Sequence, residues 1–559
     1  MLHGGVVGRS VIAIAGLTLV FAAVAPAGVA YAAFAEQVAR LHATDGVTGD
    51  EFGWGVDIDG DTAVVGVPGD DTDRGAVYVY VRTATGWVFQ QKLTASVRAA
   101  GDRFGQSVAV SGDHIAVGAP GRTVTAHPEA GSIYTFGRVG GIWQPPALRD
   151  NPAPQDGEHY GWSVDMDGDT LVVGEPLSSG SVYGPEHGFA RVYVWNGSSW
   201  AFLCGLEDTE VDATGMRLGW DVAVSGQTIV TGSPFEDSRA GTVSVWGFDG
   251  TVYVRRQKIL VSGRAADDGI GASVDVSGNT LIIGAPGRDL ASGMDAGAAY
   301  VYVNPGDAWE WQASLISPDP GEYEYFGMGT GLDGDTLVIG EMQGSSGAGA
   351  AYFFRRNGSL WPRVQDLEMS AASPEVSGFG CSTAVSNGTA VIGSFGASSA
   401  TVSEPGGAFI YSHLEPVYRF YNARAGTHFY TPSAAERDHV IATWPAIFSY
   451  EGVAYKVNPE NNPQALYRFY NMVSGSHFYT ASTSEANHVM ATWPHIYDYE
   501  GLTYRVSPAY SAAKQPVYRF YNLTNGSHFY TASLVERNHV MATWPHIYQY
   551  EGAAFWLGQ

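Results

Sequence analysis

Cysteine is nearly absent. The 559-residue chain holds two, Cys204 and Cys381, so it is not a disulfide scaffold and no cysteine-based metal site can be built. They fall in two distant repeats, so inert buried thiols are expected rather than a bridge. Positive charge is scarce: 30 Lys and Arg stand against 56 Asp and Glu, a net charge of −26. A surface of that sign repels phosphate backbones, which argues against nucleic acid and for cations or basic proteins as partners. After the N-terminal segment no apolar run is long enough to span a membrane. Catalytic signatures are missing too: there is no Gly-x-Ser-x-Gly, no His-Glu-x-x-His and no phosphate-binding loop. Acids are plentiful enough for a glycosidase-type carboxylate pair, but no pair is singled out.

Apolar content is 45%, enough to bury a core, and the 72 glycines suit turn-dense β structure. The length calls for several domains or a repeat architecture. Arg9, the apolar stretch from Val11 to Val24 and the small-residue exit Ala30-Tyr31-Ala32 read as a secretory signal over 1–32, cut after Ala32 or Ala33. An uncleaved anchor would want a longer apolar run. The acidity sits in the first part of the mature chain, because residues 415–559 carry 9 basic against 10 acidic side chains.

One pattern recurs seven times. Its first copy runs from Phe52-Gly53 through a turn at Gly60-Asp61 to Gly66-Val67-Pro68. The aromatic or aliphatic residue before its first glycine is Phe52, Phe104, Tyr160, Leu218, Ile270, Phe326 and Phe379, and its closing glycine is Gly66, Gly118, Gly174, Gly232, Gly284, Gly340 and Gly393. Alternation on both sides of a Gly turn predicts a β-hairpin, and the spacing suits a four-stranded propeller blade. In the first copy, strands are expected over 52–58, 62–67, 75–80 and 87–93. The seventh copy stops near Tyr411, after three strands. Residues 34–43 supply the missing fourth, which would close a seven-bladed propeller over 34–414 without open edges.

The paired Phe-Gly and Gly-Ala-Pro marks, as in Phe104-Gly105 with Gly118-Ala119-Pro120, resemble the FG-GAP repeat of the integrin α-chain propeller across residues 50–411. That resemblance implies extracellular ligand or adhesion contacts, in some members dependent on Ca2+. Asp57, Asp59 and Asp61, and Asp165, Asp167 and Asp169, are the carboxylates such an ion would use. Equivalent turns at Ser111-Gly112 or Asn387-Gly388 need no metal, so a plain hairpin turn and a hard-cation loop both stand. Loops on the other face carry Asp70, Asp71, Asp73, Asp102, Asp156, Glu158, Asp237, Asp267, Asp268, Asp289 and Asp295, either as a binding face or as a solvated rim.

At Leu414-Glu415-Pro416 the pattern changes. Residues 416–559 hold three copies, 416–457, 465–506 and 516–559, each with Tyr-Arg-Phe-Tyr-Asn and then His-Phe-Tyr-Thr. Ser433-x-x-Glu436, Ser482-x-x-Glu485 and Ser533-x-x-Glu536 predict capped helices, stopped at Trp-Pro, and a last strand pair is expected to turn through Tyr-Glu-Gly. A pseudo-threefold β-rich domain follows, α+β or β-trefoil-like. These motifs resemble an uncharacterised family of three-repeat domains in secreted microbial proteins. Arg419, Arg468 and Arg519 amid aromatics suit sugar binding, or pair with Glu451, Glu500 and Glu551. His428, His477 and His528, with His439, His488 and His539, could hold a metal or simply repeat a packed core. The chain therefore reads as mainly β: a secreted, monomeric, non-enzymatic binding protein for an extracellular protein or polysaccharide, needing no cofactor. A polysaccharide-degrading propeller and a calcium-dependent adhesion module are the alternatives.

Overall fold

The computed structural model describes residues 36–557 apart from 84–85, 180–185, 210–214, 307, 344–347, 369–377, 397, 400–401, 404–405, 459–461, 463 and 508–513. Residues 1–32, where a secretory signal is expected, and Phe34 and Ala35 of the expected closing strand lie outside the described residues. Up to residue 412 the described residues make seven antiparallel sheets of four main strands, one of them with an extra two-residue strand, and a separate pair of two-residue strands. The first sheet comprises Val56–Asp59, Thr62–Val67, Ala76–Thr83 and Gly86–Leu93. Its second strand is buried along its whole length, which is why that run carries Val and Ala on both faces rather than alternating. The seventh sheet takes Thr383–Ser386, Thr389–Ser394 and Gly407–Ser412, and its outer strand is Glu36–Leu41 from the other end of the chain. Glu36 pairs with Ser412 and Leu41 with Ala408.

The first strand of each sheet abuts that of the next, and the seventh returns to the first. Repeated sheets arranged this way fit a propeller. The Phe-Gly pair sits differently from its expected place in the first strand. Phe52 makes a parallel bridge to Gly406 of the seventh sheet, and Phe104, Tyr160, Leu218, Ile270, Phe326 and Phe379 make the same bridge to Gly75, Gly131, Gly188, Gly241, Gly297 and Gly349. Except in the sixth sheet, where Phe326 begins the strand, this residue is a link between sheets that precedes the hairpin. Each closing glycine explains itself in the same contact. A methyl on Gly66, Gly232 or Gly393 would overlap the carbonyl oxygen of Gly105, Gly271 or Gly53 in the following sheet.

The turn face is stitched as well. The Gly112 N–H donates to Asp59 Oδ2 (2.7 Å), Gly168 N–H to Ser111 Oγ (3.0 Å), Gly226 N–H to Asp167 Oδ2 (2.6 Å) and Gly278 N–H to Ser225 Oγ (3.1 Å). Gly334, Asn387 and Gly60 N–H continue to Ser277, Asp333 and Ser386 and complete the circle. A short side-chain acceptor is needed at that position, and Asp or Ser serves equally.

Residues 415–557 form three copies of a three-stranded antiparallel sheet with one helix. In the first copy the central strand Glu415–Asn422 lies between Thr427–Thr431 and Phe448–Val457. The Tyr-Glu-Gly segment is not a turn between two strands. It lies inside one ten-residue strand, where Gly452 at φ +98° sits opposite a register shift. Glycine with positive φ is what a bulge asks for, and the strand bends there instead of reversing. The helices Ala434–Thr443, Thr483–Thr492 and Leu534–Thr543 start at Ser433, Ser482 and Ser533, whose hydroxyls each accept the N–H of the Glu three residues on (3.1 Å). They end at Trp444, Trp493 and Trp544, before proline.

The three units meet in a cycle of buried tyrosines. Tyr430 Oη donates to Tyr530 O, Tyr479 Oη to Tyr430 O (2.8 Å) and Tyr530 Oη to Tyr479 O (2.8 Å). Val417, Leu466 and Val517 pack in the same core.

Candidate functional site

The innermost strands of the ring enclose an axial cavity of about 430 Å3. Four carboxylates face it: Asp57, Asp165, Asp221 and Asp275. Each accepts a backbone N–H from a neighbouring sheet, from Val110 (2.6 Å), Val224 (2.6 Å), Val274 (2.8 Å) and Leu332 (2.6 Å) respectively. Protein surrounds them on all sides though some solvent reaches them. Burial, with Asp165 adding repulsion, pushes Asp57 up to about 7. Burial pushes Asp165 to about 6 and Asp221 to about 7. Asp275 is raised well above the usual carboxylate range by burial and Asp165.

The three carboxylates of the first turn go to separate partners. Asp57 faces the cavity, Asp59 holds Gly112, and Asp61 lies 3.4 Å from Arg82. In the third sheet Asp165 and Asp167 repeat the first two roles, while the Asp169 carbonyl accepts the Trp195 N–H. Sequence reading missed Asp221 and Asp275. Asp275 occupies the alignment column of Asp57, and setting the copies side by side at that column would have found it; Asp221 stands two places earlier, in the column of Gly55 and Ser163, and only the fold brings it to the same cavity.

The mouth of the cavity is aromatic. The residue after each Phe-Gly lines it: Trp54, Trp162, Trp220 and the exposed Met328, with Gln106, Ala272 and Cys381 in the other three copies. Trp162 and Trp220 have ring centres 4.9 Å apart, and Phe235 lies 4.9 Å from Trp220. The residue before Phe-Gly holds positive φ although it is not glycine at Arg103 (+54°), His159 (+56°) and Arg217 (+56°). Their side chains lie over Trp54, Trp162 and Trp220 at 5.6, 5.8 and 6.0 Å. The same left-handed position recurs at Glu51 and Tyr325, and as glycine at Gly269 and Gly378, so it belongs to the repeat. Beside it opens a cleft of about 700 Å3 that shares Trp220, Met328 and Met342 with the cavity and adds Phe235, Met294 and Tyr325. Asp267, Asp289 and Asp295 line it together with Arg239, which lies 3.4 Å from Asp267, so the cleft keeps a net negative charge; burial and the other two carboxylates raise Asp295 against the pull of Arg239. Other loop acids are structural. Asp102, Glu158 and Asp268 are buried and each accepts a loop N–H three residues back.

In the C-terminal units the three arginines are taken up by carboxylates. Arg419 Nε lies 2.8 Å from Glu451 and its Nη1 3.1 Å from Glu536 of the third unit. Arg468 repeats this with Glu500 (2.9 Å) and Glu436 (3.0 Å), and Arg519 with Glu551 (2.8 Å) and Glu485 (3.2 Å). The helix-start glutamate therefore does not reach back to its own N-cap. In its place Thr431, Thr480 and Thr531 hydroxyls accept the Ser433, Ser482 and Ser533 N–H. His428, His477 and His528 bring Nε2 to 3.2, 3.2 and 3.4 Å from Glu451, Glu500 and Glu551. Burial and Arg419 press His428 down to about 4, so at neutral pH it is an uncharged donor. His439, His488 and His539 stand apart, exposed on the helices.

Residues 35–80, 87–136, 154–193, 253–302 and 309–354 match the FG-GAP repeat, and 413–557 match a Domain of unknown function (DUF5648). No curated protein gives a match. The crystal structure of the Saccharomyces cerevisiae Sqt1 is similar at 11% identity with a TM-score of 0.39, over 67% of this chain and 98% of that one.

Proposed function

We propose, for a chain of five FG-GAP repeats followed by a DUF5648 domain, that it is a secreted, non-enzymatic binding protein. FG-GAP repeats carry interaction roles. In this reading the seven sheets are the blades of one propeller, closed by Glu36–Leu41, and its loop face receives a partner protein. The C-terminal module tethers the chain to extracellular carbohydrate. The observation that carries the reading is the aromatic and methionine-rich mouth running into a cleft lined by Asp267, Asp289 and Asp295. Apolar, adaptable walls beside mutually repelling carboxylates suit a segment that is both basic and hydrophobic. In the turns at Asp57–Asp61 and Asp165–Asp169, four of the six carboxylates accept backbone N–H groups, so the reading needs no Ca2+.

The test is a peptide array probed with the full chain at several salt concentrations. Binding concentrated on basic, apolar peptides, weakened by salt and lost in a Trp220→Ala, Asp289→Asn, Asp295→Asn variant, is the expected result. No preference for basic peptides, or full binding by that variant, would overturn it.

A further inference from the structure

A cleft of about 550 Å3 opens at the seam between the first and second C-terminal units. Phe429, His439, Trp444 and Phe448 come from one unit, and Tyr470 and Glu500 from the other. The residues that line it recur at the other two seams. The second unit offers Phe478, His488, Trp493 and Tyr497 against Tyr521 and Glu551, and the third offers Phe529, His539, Trp544 and Tyr548 against Tyr421 and Glu451. The seams share their contacts: Phe429 to His477 at 4.7 Å, Phe478 to His528 at 5.1 Å and Phe529 to His428 at 5.1 Å.

Two residues in each cleft have more exposure than a packed core explains. Trp444, Trp493 and Trp544 are 43, 40 and 40% exposed. His439, His488 and His539 stand edge-on to them at 5.2, 5.1 and 5.1 Å, with Nδ1 turned towards Thr443, Thr492 and Thr543. The threonine contact uses Nδ1 and leaves Nε2 out of it. Neither that nitrogen nor the Trp444 indole N–H nor Tyr470 Oη has a hydrogen-bond partner among the described residues. The units have drifted at neighbouring surface positions, Arg424 against Val473 and Thr524, and Ile441 against Met490 and Met541, yet all three keep His and Trp. Trp444 keeps ring contacts with His439 and Phe448 (6.4 Å), but the two-fifths of each indole left exposed adds nothing to the fold.

The chemistry selects a sugar. A half-exposed indole face offers a flat apolar platform, and unpaired imidazole and phenol groups beside it offer donors and acceptors for hydroxyls. Arg424, Glu436 and Glu500 line the first cleft, and Arg468 lies between the two glutamates, so two cations stand against two carboxylates and a neutral ring fits better than a charged one. We infer that the three seams are equivalent subsites for neutral hexose units of an extended polysaccharide, each stacking one sugar on Trp444, Trp493 or Trp544. This rests on the tethering reading above and assigns it a seat. Three weak subsites on one rigid core bind a repeating polymer far more tightly than a monosaccharide, because the second and third contacts form at high effective concentration.

The experiment is affinity electrophoresis of the full chain in gels containing neutral hexose polysaccharides (β-glucans, galactan, mannan), with the Trp444→Ala, Trp493→Ala and Trp544→Ala variants singly and together. Each single change is expected to weaken retention about tenfold, equivalent to ~1.4 kcal/mol. The triple variant is expected to lose about a hundredfold or more. Tyr470→Phe, which removes only a hydroxyl from the first seam, should weaken retention without altering the unfolding temperature, and so separates binding from folding. If the triple variant is retained like the parent, the tethering reading stands and the seams are overturned as its seat. If the parent is retained by no polysaccharide, both are overturned.

Discussion

Glycine carries two different loads in this chain, and substitution separates them. Gly232 lies where a methyl would meet the Gly271 carbonyl of the next sheet, whereas Gly112 at φ +54° has open space around its Cα. Gly232→Ala should cost about 1–3 kcal/mol or more through overpacking against backbone. Gly112→Ala should cost only the ~1–2 kcal/mol of left-handed geometry, and Gly112→Asn less still. Unfolding midpoints in denaturant would rank them, and equal losses would contradict the inter-sheet contact. Arg468 is the other decisive residue. Arg468→Ala leaves Glu436 and Glu500 facing each other without their shared donor, for an expected loss of ~1–3 kcal/mol. Lysine should restore little of it, since one ammonium cannot serve two carboxylates from a planar fork.

At the scale of elements, the outer strand Glu36–Leu41 is the piece whose loss should matter most for its length. Deleting it bares the whole edge of Gly407–Ser412, a buried strand. The expected result is a melting temperature about 5–10 °C lower and concentration-dependent association through the open edge, visible by light scattering. Second and third strands were legible in the sequence because their Val, Ile and Tyr runs are local signals. The Phe-Gly pair was misplaced because its partner lies in another repeat, and no local period reports that. Tyr-Glu-Gly was read as a reversal because glycine at positive φ serves bulges and turns alike. The helices were legible down to the cap, but the destination of Glu436 was not: its arginine belongs to the following unit. Among candidate site residues, the carboxylates at Asp57 and Asp59 were visible as a turn. Their use as acceptors for the next sheet becomes visible only when the copies are superposed in space.

The whole molecule combines two parts with opposite responses to pH. Asp57, Asp165 and Asp221 take up protons on folding, so their contribution to stability is complete below about pH 4 and fades as pH rises through 6–7. His428 is depressed to about 4, and the His528 hydrogen bond holds Glu551 below its usual range. The His428 contribution is complete above about 6.5 and is lost as pH falls from there to about 4, and that of Glu551 is lost below about 4.5. Calorimetry between pH 5 and 8 should show the ring's transition moving up on acidification while that of the three-unit module begins to fall, and further acid should lower the module further. Parallel shifts of both transitions across that range would refute the assignment. The closed tyrosine cycle has a further consequence. Every unit gives one hydroxyl and one glutamate to its neighbours and takes one of each, so two units leave unmatched groups at both open ends and three leave none. A single unit of about fifty residues, made alone, is therefore expected to be unfolded when dilute and to assemble as a homotrimer when concentrated, which would place the ancestor of this module among symmetric oligomers.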